Sequence, residues 1–394
     1  MQLLRRYWML AAAVFVALVS MLFVPPDREY LGYFDWKTIG CLFCVLAVAS
    51  ALRNAGVFDW VVRAAIARFA SLRTLTMTLV LVTAVFSMAF TNDVALVIML
   101  PLSVAALVEF GQPRLVPAVF ALQTLAANLC GMVTPFGNPQ NIYLYSYYHV
   151  ELGEFLATMA LPFALSVAGI IFATWFMTRR GANHNDDAST RLRQGMSGED
   201  ALALATSAAM LDRRRLAVYV PLFVVALLAV FRVLPFGLAV IIVAVALLIL
   251  DRDALLKVDY PLLATFLCFF IFAGNMARVP VLEELLMPVM EQWGLLTSAL
   301  TSQVISNVPA AVLLSHFTDA WQPLLVGVNI GGAGTFVGSL ASLIAIRHFA
   351  IARTMIPRLR EPDAPNTASF LRLFGIVNGV FFVALLIVCQ LVLG

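Results

Sequence analysis

Long apolar runs separated by short polar stretches occupy almost the whole of this 394-residue chain. Apolar windows of about 17 to 25 residues are the candidates for helices that cross a membrane. The first runs from Tyr7 to Val24, and a polar loop from Pro25 to Trp36 leads to a second from Lys37 to Leu52. From Val57 to Arg73, Arg63, Arg68 and Arg73 alternate with aromatic and aliphatic residues, the pattern of a helix lying in the interface with its arginines toward headgroups. Thr74 to Phe110 reads as a helical pair interrupted at Thr91-Asn92-Asp93. Arg114 to Tyr148 is a spanning segment broken in its middle, and Phe155 to Thr178 returns across. Arg179 to Arg215 is the longest polar stretch. Beyond it come two spans, Leu216 to Phe231 and Val233 to Leu250, and a third from Tyr260 to Ala277. Arg278 to Gln292, with Glu283, Glu284 and Glu291, reads as a second interfacial helix. Trp293 to Phe317 is a second broken pair, Ala320 to Phe349 a second broken span, and Phe370 to Leu393 the last helix.

The breaks carry the argument. In Gly131 to Asn141, GMVTPFGNPQN, glycines, prolines and amides interrupt a helix whose freed backbone groups, at bilayer depth, are tolerated only against protein or a water-filled cavity. Laid without gaps over Asn329 to Ser342, the segment Asn128 to Asn141 pairs Asn128 with Asn329, Gly131 with Gly332, Thr134 with Thr335 and Gly137 with Gly338. Each break follows a shorter polar interruption, Thr91-Asn92-Asp93 in one half and Ser306-Asn307-Val308-Pro309 in the other. Paired broken segments in two halves point to the site of a secondary transporter. The expected fold is an all-α polytopic membrane protein, with an N-terminal half (1–178), a cytoplasmic linker (179–215) and a C-terminal half (216–394).

Length bears on the hairpins. Trp293 to Ser306 and Ala310 to Phe317 reach about 21 Å and 12 Å as helices, short of a hydrocarbon core of about 30 Å. They therefore read as a re-entrant hairpin with Asn307 at its tip. The first pair is long enough for two full crossings and is taken as re-entrant by analogy with its partner.

Composition places the chain in a membrane: 62% hydrophobic, 12% charged, mean hydropathy +0.95. The net charge of +3 implies no nucleic-acid partner, because the cations follow topology. With the N-terminus cytoplasmic, only Arg28, Lys37, Arg232 and Arg278 fall outside, and the other 21 of the 25 Lys and Arg face the cytoplasm. The same topology sends the two hairpins in from opposite sides, so the repeat is expected to be inverted. Arg5 and Arg6 before an apolar run resemble a signal sequence, yet the run is long enough to span and ends in Phe-Val-Pro-Pro without a small-residue cleavage pattern. It is expected to be a retained first helix. Cys41 and Cys44 have CxxC spacing but sit in an apolar run with no second pair and no histidine nearby, and read as small buried helix residues.

Asn92 and Asn307 precede helical runs and read either as N-caps or as ligand contacts. Two helix N-termini brought to mid-membrane aim N–H groups at a shared cavity, an anion or carboxylate site flanked by Thr91 and Ser306. The breaks at Thr134, Gly137, Thr335 and Gly338 would expose backbone carbonyls beside it, the ligand type that Na⁺ takes. Asp93 is the one acid placed deep in the membrane part, where ionisable groups are costly and functional, fit to carry a proton or help bind a cation. Asn138, Gln140, Asn141, Ser339 and Ser342 are expected as secondary contacts. Pro101 and Pro162 mark kinks, and His149, His316 and His348 fall near interfaces. An intramembrane enzyme would need a base or a second acid beside Asp93, and none is in view. No cofactor is expected apart from a coupling ion, Na⁺ or H⁺.

The segments FTNDVALVIMLPL, TPFGNPQN, SQVISNVPAAVLL and VNIGGAGTFVGSLASLIA resemble the hairpin tips and broken helices of the ion transporter superfamily. That superfamily includes arsenite permeases, sodium/proton antiporters of type D, citrate carriers and divalent anion/sodium symporters. The nearest likeness is to anion-permease-like proteins of the bacterial inner membrane. The resemblance implies a homodimeric inverted-repeat transporter with a scaffold and a moving part, and alternating access around a site between the tips. The tips differ from the Ser-Asn-Thr of the dicarboxylate symporters. Thr91-Asn92-Asp93 looks more like the arsenite permease and antiporter branches, and Gly338-Ser339-Leu340-Ala341 like the arsenite permeases. Two readings stay open: a carrier of a small anion or oxyanion coupled to Na⁺ or H⁺, and a cation/proton antiporter centred on Asp93.

Overall fold

The computed structural model describes residues 8–58, 60–61, 71–182, 212–360 and 364–393. Among these the chain forms sixteen α-helices and no strand. In order they are α1 (Trp8–Ser20), α2 (Trp36–Asn54), α3 (Leu72–Ala89), α4 (Asn92–Glu109), α5 (Val116–Leu125), α6 (Pro139–Tyr147), α7 (Leu152–Ala182) and α8 (Arg213–Val230). There follow α9 (Phe236–Leu250), α10 (Arg252–Leu256), α11 (Tyr260–Ala277), α12 (Pro280–Ile305), α13 (Asn307–Leu314), α14 (Trp321–Ile330), α15 (Leu340–Met355) and α16 (Thr367–Leu393). Among the described residues, α2, α3, α7 up to Thr178, α11 and α16 are long and apolar enough to cross a membrane. This is a multi-pass membrane protein.

The helices begin where the sequence offers a cap. Asp35 accepts from Thr38 N at 3.1 Å ahead of α2, and Asp259 accepts from Leu262 N at 3.0 Å ahead of α11. A carboxylate there satisfies an orphan donor and opposes the positive end of the helix dipole.

The stretch Arg278 to Gln292 and the hairpin arm after it are continuous in α12 but meet at a kink at Trp293, whose φ of −133° and ψ of 35° leave the helical region, at the boundary expected between them. The helices on either side reach into the polar stretch 179–215, α7 to Ala182 and α8 from Arg213. Residues 183–211, most of the interfacial stretch after Val57 (Arg63 and Arg68 included), Arg5 and Arg6 lie outside the described residues.

Both interruptions recur as breaks in helices. The chain leaves α3 at Phe90 and starts α4 at Asn92, and it leaves α12 at Ser306 and starts α13 at Asn307. The longer breaks separate α5 from α6 and α14 from α15. A π-helical turn, Ala126–Cys130, continues α5 into the first of them. Packing then crosses between the halves. The arm after the first tip, α4, lies on α15 beyond the second break, and the arm after the second tip, α13, lies on α6 beyond the first. In contrast, α2 packs with α8 and α9, and α1 with α11.

Polar clamps hold the periphery. Buried Asp251 accepts from Asn54 Nδ2 at 3.1 Å and Tyr219 Oη at 2.9 Å, joining α2, α8 and the start of α10. Arg278, between α11 and α12, reaches Asp27 at 2.7 Å, Glu29 at 3.3 Å and the Tyr33 hydroxyl at 2.9 Å, tying the α1–α2 loop to the base of the bent helix. The guanidinium beside Asp27 holds its carboxyl below the usual range. Cys41 and Cys44 are buried free thiols in α2, as expected of small helix residues.

Candidate functional site

The two tips meet. Asn92 and Asp93 from the first line the same pocket as Ser306 and Asn307 from the second. Gln140 and Ser339, each at the start of the helix after a long break, complete the polar wall, and Phe266 and Phe269 of α11 with Met9 of α1 form the apolar one. The space is small, about 20 Å³ for the centres of water-sized molecules. That is room for one water or one bare cation.

Each tip is built with the same bonds. Asn92 N donates to Gly137 O at 3.0 Å, and Asn307 N to Gly338 O at 3.0 Å. Asn92 Oδ1 accepts from Asp93 N at 2.9 Å, and Asn307 Oδ1 from Val308 N at 2.9 Å. Thr134 Oγ1 donates to Met88 O at 2.9 Å and Thr335 Oγ1 to Gln303 O at 3.1 Å, in both cases to the carbonyl four residues before the tip asparagine. The gap-free pairing of Thr134 with Thr335 and Gly137 with Gly338 is therefore matched bond for bond.

These bonds change the expected chemistry. Neither asparagine is an N-cap; Thr91 and Ser306 hold that position, and the asparagines are the first helical residues. The backbone N–H groups at the two N-termini are also already engaged. Val94 N reaches Thr91 Oγ1 at 3.4 Å, Ala95 N reaches Thr91 O at 3.0 Å and Ala310 N reaches Ser306 O at 3.1 Å. Pro309 has no N–H to offer. Helix ends alone thus supply no free donor here, because short tips at depth must satisfy their own backbone. What remains open is of the other kind. Asp93 Oδ1 and Gln140 Oε1 are buried acceptors without a partner.

The other predicted residues sort by place. Thr91, Asn138, Asn141, Ser342, Thr134, Gly137, Thr335 and Gly338 do not line the pocket. Thr134 and Thr335 brace the hairpins through their hydroxyls, and Gly137 and Gly338 give a carbonyl to the tip asparagines. Asn138 donates to Asn128 O and Asn329 Oδ1, both at 3.0 Å, while Asn141 donates to Met132 O and Thr134 O, both at 3.1 Å. Ser342 Oγ is buried without a partner. Gln303 is a residue that sequence reasoning missed: its Nε2 donates to Gly331 O at 2.8 Å and Ala333 O at 3.0 Å, and its Oε1 accepts from Thr335 N at 2.7 Å. A polar side chain one helical turn before Asn307 was the signal for it.

Glycine is required where the tips dock. A Cβ on Gly137 would overlap the Gly131 carbonyl oxygen, and one on Gly338 would lie 2.6 Å from the Gly331 carbonyl oxygen. Backbone cannot yield as a side chain tip does. Gly137→Ala is expected to destabilise the protein by about 3 kcal/mol or more, the upper end of overpacking costs, read as a lower unfolding temperature in detergent; an unchanged transition would refute the close docking.

The profile of the citrate transporter family matches residues 3–325 of this chain. The chain belongs to that family. It is also 32% identical over 342 residues to the inner membrane protein YbiR of Escherichia coli, covering 85% of this chain and 86% of that protein. An uncharacterized transporter of Methanocaldococcus jannaschii, MJ0456, is 27% identical over 84% of this chain and 86% of its own length. A shorter match, 32% identical over 41% of this chain and 33% of the relative, is to the silicon efflux transporter LSI3 of Oryza sativa subsp. japonica. As a member of the citrate transporter family the protein is a membrane transporter, and its pocket between the tips is the candidate transport site.

Proposed function

We propose that this protein is a secondary active transporter of the bacterial inner membrane that moves a small anion or oxyanion coupled to Na⁺ or H⁺, with Asp93 as the coupling group. The observation that carries this is the unpartnered Asp93 carboxylate oxygen in the same small pocket as Asn92 and Asn307. An anion brought beside a bare carboxylate in a site of low dielectric is repelled by several kcal/mol. It binds only after a proton or Na⁺ has neutralised Asp93. Coupling then follows from charge balance, and no further device is needed. Names among the relatives, citrate for the family and silicon for LSI3, fit a hydroxylated or carboxylated substrate.

The pocket in this state is small, and separation of the walls at α11 and α1 from the tips would make room for a carboxylate-sized anion. Alternating access supplies that movement. The repeated tip bonds, together with the cytoplasmic bias of the arginines, support an inverted repeat of two re-entrant hairpins and two broken transmembrane helices. Both orphan groups in the pocket are acceptors, which favours one second reading, a cation/proton antiporter using Asp93.

Charge movement in proteoliposomes on a solid-supported membrane separates these readings. Citrate, other carboxylates, arsenite and silicate are stepped with and without Na⁺ at two pH values. A current that needs both one of these solutes and Na⁺ or a proton gradient supports the coupled carrier. A current on a Na⁺ step alone, with its sign following the pH gradient, moves the assignment to the antiporter. Silence under every condition would overturn both.

A further inference from the structure

We propose that Asn128 and Asn329 are positioning residues that tie the two broken segments into one unit, the asparagine of each half holding the break of the other. Asn128, in the first half, donates from Nδ2 to Gly332 O at 3.0 Å, and its Oδ1 accepts from Ser339 Oγ at 2.9 Å, both in the second break. The same oxygen accepts from Asn92 Nδ2 at 2.9 Å, so the first tip and the second break share one atom. Asn329 does the converse. Its Oδ1 accepts from Asn138 Nδ2 at 3.0 Å and Gln140 Nε2 at 3.1 Å, and its Nδ2 donates to Asn141 Oδ1 at 2.7 Å, all in the first break.

Both asparagines are buried, and every one of these partners is a backbone carbonyl or a polar side chain, of which Asn92 Nδ2 and Gln140 Nε2 have no other partner among the described residues. Hydrogen bonds in such a dry network reinforce one another, and removing one member strands the rest. The helix packing crosses in the same sense, α4 on α15 and α13 on α6. One tip therefore cannot shift without carrying the opposite break, and with it the floor of the other tip. Two half-sites move as one body. The consequence for transport rests on the transporter reading above, whereas the coupling itself is read without any substrate.

Deuterium uptake of the full-length protein in lipid nanodiscs tests it, comparing wild type with Asn128→Ala, Asn329→Ala and Ser339→Ala. Asn128→Ala is expected to raise exchange about tenfold, the equivalent of one lost buried hydrogen bond, across residues 331–342 in the opposite half. Asn329→Ala should do the same across residues 137–142. Ser339→Ala, which removes a single cross-half bond, should raise exchange in the 126–131 turn by a smaller factor. It keeps the test alive if an asparagine variant does not fold. Changes confined in every variant to the half that carries the substitution would overturn the proposal. Absence of flux for every solute tried would count against the transporter reading and leave the cross-half exchange untouched.

Discussion

Asp93→Asn is expected to lower coupled flux by roughly 10- to 100-fold while the protein still folds and inserts. Asparagine has nearly the same shape, but it can neither take up a proton nor balance a cation. The loss of a charge-assisted interaction is worth about 1.5–3 kcal/mol, which corresponds to roughly one to two orders of magnitude in an affinity. The orphaned Oδ1 lets the variant be read in more detail. In a symporter the neutral side chain removes the repulsion that made the cation necessary, so an anion should still bind, now without dependence on Na⁺ or pH. In an antiporter both ions should be lost together. Equilibrium binding of the anion alongside charge movement distinguishes the two, and wild-type coupling in the variant would remove Asp93 from the mechanism.

The tip asparagines should show the second large effect. Asn92→Ala and Asn307→Ala are each expected to reduce flux at least about 100-fold, because each side chain both faces the pocket and occupies the next backbone N–H. Their costs in stability should differ. Asn307→Ala strands Val308 N–H and loses a long 3.4 Å contact from the Ser306 hydroxyl, whereas Asn92→Ala strands Asp93 N–H and breaks a 2.9 Å bond to Asn128. At about 1–3 kcal/mol for each buried group left unpaired, Asn92→Ala should be the less stable of the two. Thermal unfolding in detergent ranks them, and wild-type flux in either would remove that residue from the site.

Much of this was legible in the chain because it was written in interruptions. Gly137 and Gly338, four residues before Asn141 and Ser342, stood out from apolar surroundings, but their carbonyls, expected to be free for a cation, accept from Asn92 N and Asn307 N. Asn128 and Asn329 stood in the same alignment, but their reach into the opposite half depends on how the halves cross, which no local pattern encodes. The free N–H groups expected at the tips were not there for a related reason. A sequence shows where a helix starts, yet the partner that silences its first N–H comes from a segment about 30 to 45 residues away. The kink at Trp293 was legible too, because the chain passes there from the stretch with Glu283, Glu284 and Glu291 to the apolar hairpin arm.

The tips also differ in the backbone of the residue that turns the chain. Thr91 sits in the ordinary extended region at φ −111°, but Ser306 is held at φ 75° and ψ 156°, territory that belongs to glycine. Such a conformation costs of order 1–3 kcal/mol and survives only because its surroundings impose it. Any arrangement that lets Ser306 relax is favoured by that amount, which is a factor of roughly 5 to 150 in population. The second tip is a cocked spring and the first is not, so the strain that favours leaving this state is stored on one side of the site.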